Sequence, residues 1–435
     1  MAHRNPQSAE ERALREKAER YLPGAQLGNA STKFEEGFIV KEGRGSKVYD
    51  YSGNEYIDYL LGSGPMLLGH AHPAVVEAVR QHLDKGSTYF YTNAPAIELA
   101  EEVCNAVPCA EMVRFTTSGT DATFQCLRLA RAYRKRDKVL KFEGGYHGVH
   151  DYALMSGVTA FTLADFPQAV PVSAGIPRVI QETVLVAPFN DLETTSQIIS
   201  DHHEELAGVI VEPMQRILPP VPGFLEGLRE VTARYEIPLI FDEVVTGFRF
   251  AYGGAQEFYG VKPDLTAIGK VVGGGYPLAA VCGRADILRT YDASLVEQDE
   301  FIPQIGTLSG NPIAAVAGLA TLAELRKPGA YERLHTTGAR LRAALQEVLD
   351  QAELPAQVVG DDTLFDIYFT DDPITGYRST LTADGAMMRR FNTHMLNSGI
   401  LKAGQKFYVS LALTEEDIQR TIEAFRDAAE QLRAS

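Results

Sequence analysis

The 435-residue chain has no tryptophan and only four cysteines, and its acidic residues outnumber its basic ones, 57 to 41. Without tryptophan, no indole can wall a ligand site. Cys104, Cys109, Cys126 and Cys282 show no metal-ligand spacing and read as buried thiols of a reducing compartment. The formal charge of −16 argues against nucleic acid or an anionic membrane as partner, since both repel acidic surfaces. No apolar run approaches the roughly 20 residues of a membrane span. The stretch Met1 to Arg20 is charged rather than apolar, unlike a signal peptide. These absences place the chain in the cytoplasm, without metal, membrane or nucleic acid.

What is present is a set of short apolar runs that each end in a chemical group. Leu239-Ile240-Phe241 delivers Asp242-Glu243, and Leu265-Thr266-Ala267-Ile268 delivers Gly269-Lys270 ahead of Gly273-Gly274-Gly275. A carboxylate that can hold a pyridine nitrogen protonated, and a lysine that can form an imine, are what pyridoxal phosphate (PLP) needs from a protein. Alone, each has a plainer reading, as a strand-end cap and a solvated surface lysine. Glu243 should face away from Asp242, because neighbours on an extended segment point to opposite sides.

Two further motifs fit the same cofactor. Thr116-Thr117-Ser118-Gly119-Thr120-Asp121 lies between a strand-like run (Met112 to Phe115) and an amphipathic helix. A helix N-terminus built from small hydroxyl residues and glycine suits a phosphate, although it also suits an ordinary Ser/Thr cap. Phe142-Glu143-Gly144-Gly145-Tyr146-His147-Gly148 sets an aromatic ring and a histidine in a glycine-rich turn after Lys138-Val139-Leu140. Such a ring can stack on a pyridine.

The ordered set resembles the class III aminotransferases of PLP fold type I, and most closely the glutamate-1-semialdehyde aminomutase branch. The strings that carry the resemblance also include Gly64-Pro65-Met66-Leu67-Leu68-Gly69-His70, Val211-Glu212-Pro213-Met214, Val244-Val245-Thr246-Gly247-Phe248-Arg249 and Gly306-Thr307-Leu308-Ser309-Gly310-Asn311-Pro312. The resemblance implies that Lys270 holds PLP covalently and shuttles the substrate proton, while Asp242 pairs with the pyridine nitrogen. It also implies that Ser118, Gly119 and Thr120 bind the phosphate, with Thr307 reaching the phosphate of the neighbouring subunit in a homodimer with shared active sites. Tyr146 and Val244 would cover the two ring faces, and Glu212, with Gln215 as a weaker candidate, would sit near the cofactor hydroxyl. His70 and His72 read as structural, and His202-His203 as a solvated pair.

Alternating apolar runs and amphipathic stretches from 60 to 325 predict an α/β fold, a large PLP-binding domain whose mostly parallel sheet is covered by helices. Residues 1–59 are expected to join residues 326–435 in a smaller α+β domain. The substrate side departs from the family. Pro23-Gly24 is followed by Ala25-Gln26-Leu27-Gly28-Asn29-Ala30-Ser31, with no Arg or Lys before Lys33 to receive a carboxylate. Ser63 stands where the branch carries Trp, the family's Phe-Glu pair is replaced within Lys402 to Tyr408, and Tyr89-Phe90-Tyr91 adds aromatic surface. These departures favour an aminotransferase that moves an amino group from an amine or non-α amino acid donor to a small 2-oxo acid such as pyruvate. Ser63 and Tyr89 would line the donor pocket, and Lys402 or Lys406 would receive the acceptor carboxylate. The alternatives are the aminomutase itself, a PLP decarboxylase and a non-catalytic PLP-fold regulator.

Overall fold

The computed structural model describes residues 4–28, 37–158, 162–402 and 404–434. Asn29, Ala30, Ser31 and Lys33, named above for the missing carboxylate anchor, lie outside the described residues, as does Ala403.

The first three strands, β1 (Val40–Arg44), β2 (Lys47–Asp50) and β3 (Glu55–Asp58), form an antiparallel meander. Seven strands then build the central sheet: β4 (Met112–Thr116), β5 (Lys138–Phe142), β6 (Val184–Ala187), β7 (Leu206–Val211), β8 (Leu239–Glu243), β9 (Leu265–Ile268) and β10 (Ala279–Gly283). Their spatial order is β4-β10-β9-β8-β7-β5-β6. All neighbouring pairs are parallel except the two made by β10, which runs antiparallel to both β4 and β9. The inner strands are buried on both faces, as Leu206–Val211 and Leu239–Glu243 show along their whole length. A sheet covered by helices on both sides selects such continuous apolar runs. The mostly parallel sheet expected from the runs is therefore present, with one reversed strand.

The last four strands are β11 (Gln357–Asp361), β12 (Leu364–Tyr368), β13 (Ile400–Leu401) and β14 (Phe407–Tyr408). β11, β12 and β14 make a separate sheet, while β13 pairs in parallel with β3, so the N-terminal meander and the C-terminal block share a sheet. The final helix, Glu415–Arg433, starts at a reciprocal cap: Asp417 N donates to Thr414 Oγ1 at 3.2 Å, and Thr414 N donates to Asp417 Oδ2 at 3.0 Å. Its acidic first turn suits the positive end of the helix dipole. No helix among the described residues is long and apolar enough to cross a membrane. All four cysteines are free, three of them buried.

In an open parallel sheet, the groups that follow the carboxyl ends of the strands collect along one edge. Here that edge carries Ser118 after β4, Tyr146 and His147 after β5, Glu212 after β7, Asp242 at the end of β8 and Lys270 after β9. Secondary structure alone brings together what lies scattered over 150 residues of chain.

Candidate active site

These residues line a single cavity of about 800 Å³, together with Ser63, Val244, Arg216, Lys406 and Tyr408. Lys270 begins a short turn, Lys270–Gly273, with φ +52, a conformation uncommon for a side-chain-bearing residue. Burial lowers its pKa below the ordinary lysine value, with the positive charge of Lys406 adding to the effect against an opposing pull from Tyr408. A larger fraction of the amine is then neutral and nucleophilic than on an exposed lysine.

Asp242 is buried, and its Oδ2 lies 2.8 Å from His147 Nδ1, while Oδ1 accepts from Val244 N at 3.1 Å. The histidine fixes the plane of the carboxylate, and the backbone contact of Val244 ties ring-face residue and carboxylate into one unit. Glu243 turns the other way. It accepts from Thr246 Oγ1 at 3.0 Å and from Ala255 N at 2.5 Å, and burial pushes its carboxyl up to about 7. It holds the following turn and helix start, not the cavity.

Ser118 caps the helix Gly119–Arg134, accepting from Asp121 N at 3.2 Å. Gly119 and Thr120 open the first turn, where amide N–H groups have no intrahelical acceptor and point outward. A Cβ on Gly119 would sit 2.7 Å from Val244 Cγ1, and one on Gly148 would sit 2.5 Å from Thr120 Oγ1. Both glycines are needed for the cradle to close against its neighbours. Tyr146 presents a ring that is 47% exposed, and its amide donates to Glu212 Oε2 at 2.9 Å. Gln215 donates through Nε2 to Glu143 O at 2.7 Å. His147 Nε2 and Gln215 Oε1 are buried and have no hydrogen-bond partner. An anion cradle, an accessible aromatic platform, a buried carboxylate and a buried lysine of lowered pKa fit a phosphorylated pyridine aldehyde.

Of the three residues expected on the substrate side, two come out differently. Ser63 does line the cavity. Lys402 does not: it follows β13, whose pairing with β3 turns the side chain into the core, where Nζ lies 2.8 Å from Asp366 Oδ2 and donates to Asn392 Oδ1 at 2.8 Å. Both partners of that ion pair are almost wholly inaccessible, so Lys402 is a structural cation and cannot receive a substrate carboxylate. Lys402→Met should leave the Asp366 carboxylate buried and unpaired, costing about 3–5 kcal/mol. A chemical-denaturation midpoint checks this. The double variant Lys402→Met with Asp366→Leu should recover much of the loss, whereas a raised KM at unchanged stability would return Lys402 to the substrate. Tyr89 also lies elsewhere. With Phe90, Tyr91, Ile305 and Thr307 it lines a separate depression of about 460 Å³, and its hydroxyl donates to backbone oxygens of Lys85 and Gly86. The 88–93 segment runs beside the 304–312 loop, away from the Lys270 cavity of the same chain.

Sequence reasoning gave no role to His147, Arg216 and Tyr408. His147 was visible as the residue after the platform tyrosine. Arg216 was signalled only as a basic residue four positions after a strand-end glutamate.

The chain belongs to the class III aminotransferases, whose family model matches residues 29–429; it is a PLP-dependent enzyme of fold type I. It is 46% identical over 400 residues to the glutamate-1-semialdehyde 2,1-aminomutase of Pelotomaculum thermopropionicum, covering 90% of this chain and 89% of that one. To glutamate-1-semialdehyde 2,1-aminomutase 2 of Brevibacillus brevis it is 43% identical over 394 residues, covering 88% and 89%. Among solved structures, an ω-transaminase from Sphaerobacter thermophilus superposes with a TM-score of 0.93 at 36% identity, over 99% of both chains. The expectation of a transaminase passing an amino group from an amine to pyruvate is corrected by these relatives. Identity to the aminomutases, at 43–46% across nearly the whole length, exceeds the 36% shared with the ω-transaminase. That expectation leaned on the missing basic residue after Pro23-Gly24, on Ser63 and Tyr89 as donor-pocket residues, and on Lys402 or Lys406 for the acceptor; Ser63 and Lys406 line the cavity, while Tyr89 and Lys402 do not.

Proposed function

We propose that the chain is a glutamate-1-semialdehyde 2,1-aminomutase, moving the amino group of that substrate from carbon 2 to carbon 1 to give 5-amino-4-oxopentanoate. The observation that carries the reading is the 43–46% identity to aminomutases over most of both chains, and the cavity described above is compatible with it. When bound, PLP supplies a carbonyl that condenses with amines and an electron-poor ring that stabilises negative charge on the adjoining carbon.

The protein's own groups do the rest. Ser118 Oγ and the amides of Gly119 and Thr120 would hold the phosphate, and Tyr146 and Val244 would cover the ring. Asp242, oriented by His147, would balance a proton on the pyridine nitrogen. Glu212 and Gln215 would lie on the side of the cofactor hydroxyl. Lys270 Nζ, whose pKa burial lowers, takes a proton from one substrate carbon and returns it to the neighbouring one. A mutase needs a single mobile base that serves both carbons, and no second base is required.

Thr307 and the exposed Tyr89, Phe90 and Tyr91 surround a depression outside this cavity. We assign them to a homodimer in which the partner's Thr307 completes the phosphate cradle. Free, mostly buried thiols suit a cytoplasmic setting. The function is tested by incubating purified holoenzyme with glutamate-1-semialdehyde alone. Steady formation of 5-amino-4-oxopentanoate that added pyruvate does not stimulate is expected; a strict requirement for pyruvate would refute the reading.

A further inference from the structure

Two cations of the cavity, Lys406 and Arg216, lie outside the set assigned above to the cofactor. Lys406 is 5% exposed, yet its ammonium has no hydrogen bond and no ion pair among the described residues. Burial, and after it the positive charge of Arg216, hold its pKa well below the usual lysine range. An unpaired cation in such a place is costly unless an anion joins it. Arg216 likewise has no carboxylate partner among the described residues. It occupies φ +61, where L side chains are uncommon, and its guanidinium lies 5.5 Å from the centroid of the Tyr146 ring. A strained backbone position that directs a charged group into a cavity is a pointer to function. Both cations line the same cavity as Lys270.

The phosphate has its own cradle at residues 118–120, and the charge on Asp242 is engaged by His147. Meanwhile the described residues that follow Pro23-Gly24, Ala25 to Gly28, contain no basic group. We propose that Arg216 and Lys406 together receive the substrate's carboxylate, in place of the basic residue missing after Pro23-Gly24, and so restrict the site to small amino-aldehydes and amino-ketones that carry one. A planar guanidinium near the Tyr146 ring presents a fork for two carboxylate oxygens, and the ammonium adds a point charge in the same cavity. The identity of the substrate here rests on the aminomutase reading; the carboxylate receptor itself does not.

The test is calorimetric titration of the holoenzyme with 4-oxopentanoate, which keeps the carboxylate and lacks the amino group, and with pentan-2-one, which lacks the carboxylate. Arg216→Gly and Lys406→Gln should each weaken 4-oxopentanoate binding about tenfold or more, with pentan-2-one binding unchanged and cofactor content, read by visible absorbance, preserved. Glycine adopts positive φ freely, so Arg216→Gly removes the charge without adding strain. Lys406→Arg should retain most of the affinity. In steady state with glutamate-1-semialdehyde, the larger share of the loss should fall in KM. Unchanged 4-oxopentanoate binding in both variants would overturn the proposal, as would an equal loss for pentan-2-one. If the parent fails to isomerise glutamate-1-semialdehyde while 4-oxopentanoate binding still depends on both cations, the aminomutase reading falls and the receptor stands. Normal turnover with binding indifferent to both cations is the reverse case.

Discussion

Lys270→Ala is expected to lose at least about a thousandfold in turnover, the scale of a positioned acid–base group, while the chain stays folded and still binds PLP without a covalent bond. The substitution removes the cavity amine that the account makes both nucleophile and proton carrier. It removes little that holds the fold, since Lys270 sits in a short turn at positive φ and its amine is destabilised by burial. Circular dichroism should be unchanged, and mass spectrometry after hydride reduction should find the cofactor fixed to the parent and not to the variant. Parent-like turnover in Lys270→Ala would remove the lysine from the mechanism.

Asp242→Asn is expected to slow the proton-transfer step by about a hundredfold to a thousandfold, the size found when a single preorganised electrostatic partner is removed. The amide keeps the shape and can still meet His147 Nδ1, 2.8 Å from the native Oδ2, and Val244 N. What disappears is the negative charge opposite the ring nitrogen. Cofactor content should therefore hold through the phosphate cradle and Lys270, while single-turnover rates collapse. A near-normal single-turnover rate would mean that Asp242 only ends a strand.

The central sheet and the gathering of Ser118, Tyr146, Glu212, Asp242 and Lys270 in one cavity were legible because both rest on local rules. Val209-Ile210-Val211 and Leu239-Ile240-Phe241 are short, fully apolar and followed by a carboxylate, so strand identity and site position are written together. The reversal of β10 was not legible. Leu278-Ala279-Ala280-Val281-Cys282 is equally apolar read in either direction, and hydrogen bonding to β4 and β9, remote in sequence, decides its sense. Lys402 and Lys406 are four residues apart and chemically identical. Only the pairing of β13 with β3 sends the first into the Asp366 core and leaves the second facing the cavity. Arg216 was hidden for a related reason, since its direction depends on a positive φ in the loop after β7, which no periodicity announces. Tyr89, read as a pocket wall, lies outside the Lys270 cavity of its own chain and lines the depression that carries Thr307, a placement no periodicity announces.

The most direct test of the account is the number of turnovers per active site with glutamate-1-semialdehyde as the only small molecule added to dialysed holoenzyme. An enzyme that returns the amino group to the same carbon skeleton needs no acceptor, so the count of 5-amino-4-oxopentanoate molecules per site should climb far past one and continue until substrate is exhausted. A count that stops at or below one per site, and resumes when a 2-oxo acid is added, would contradict the account.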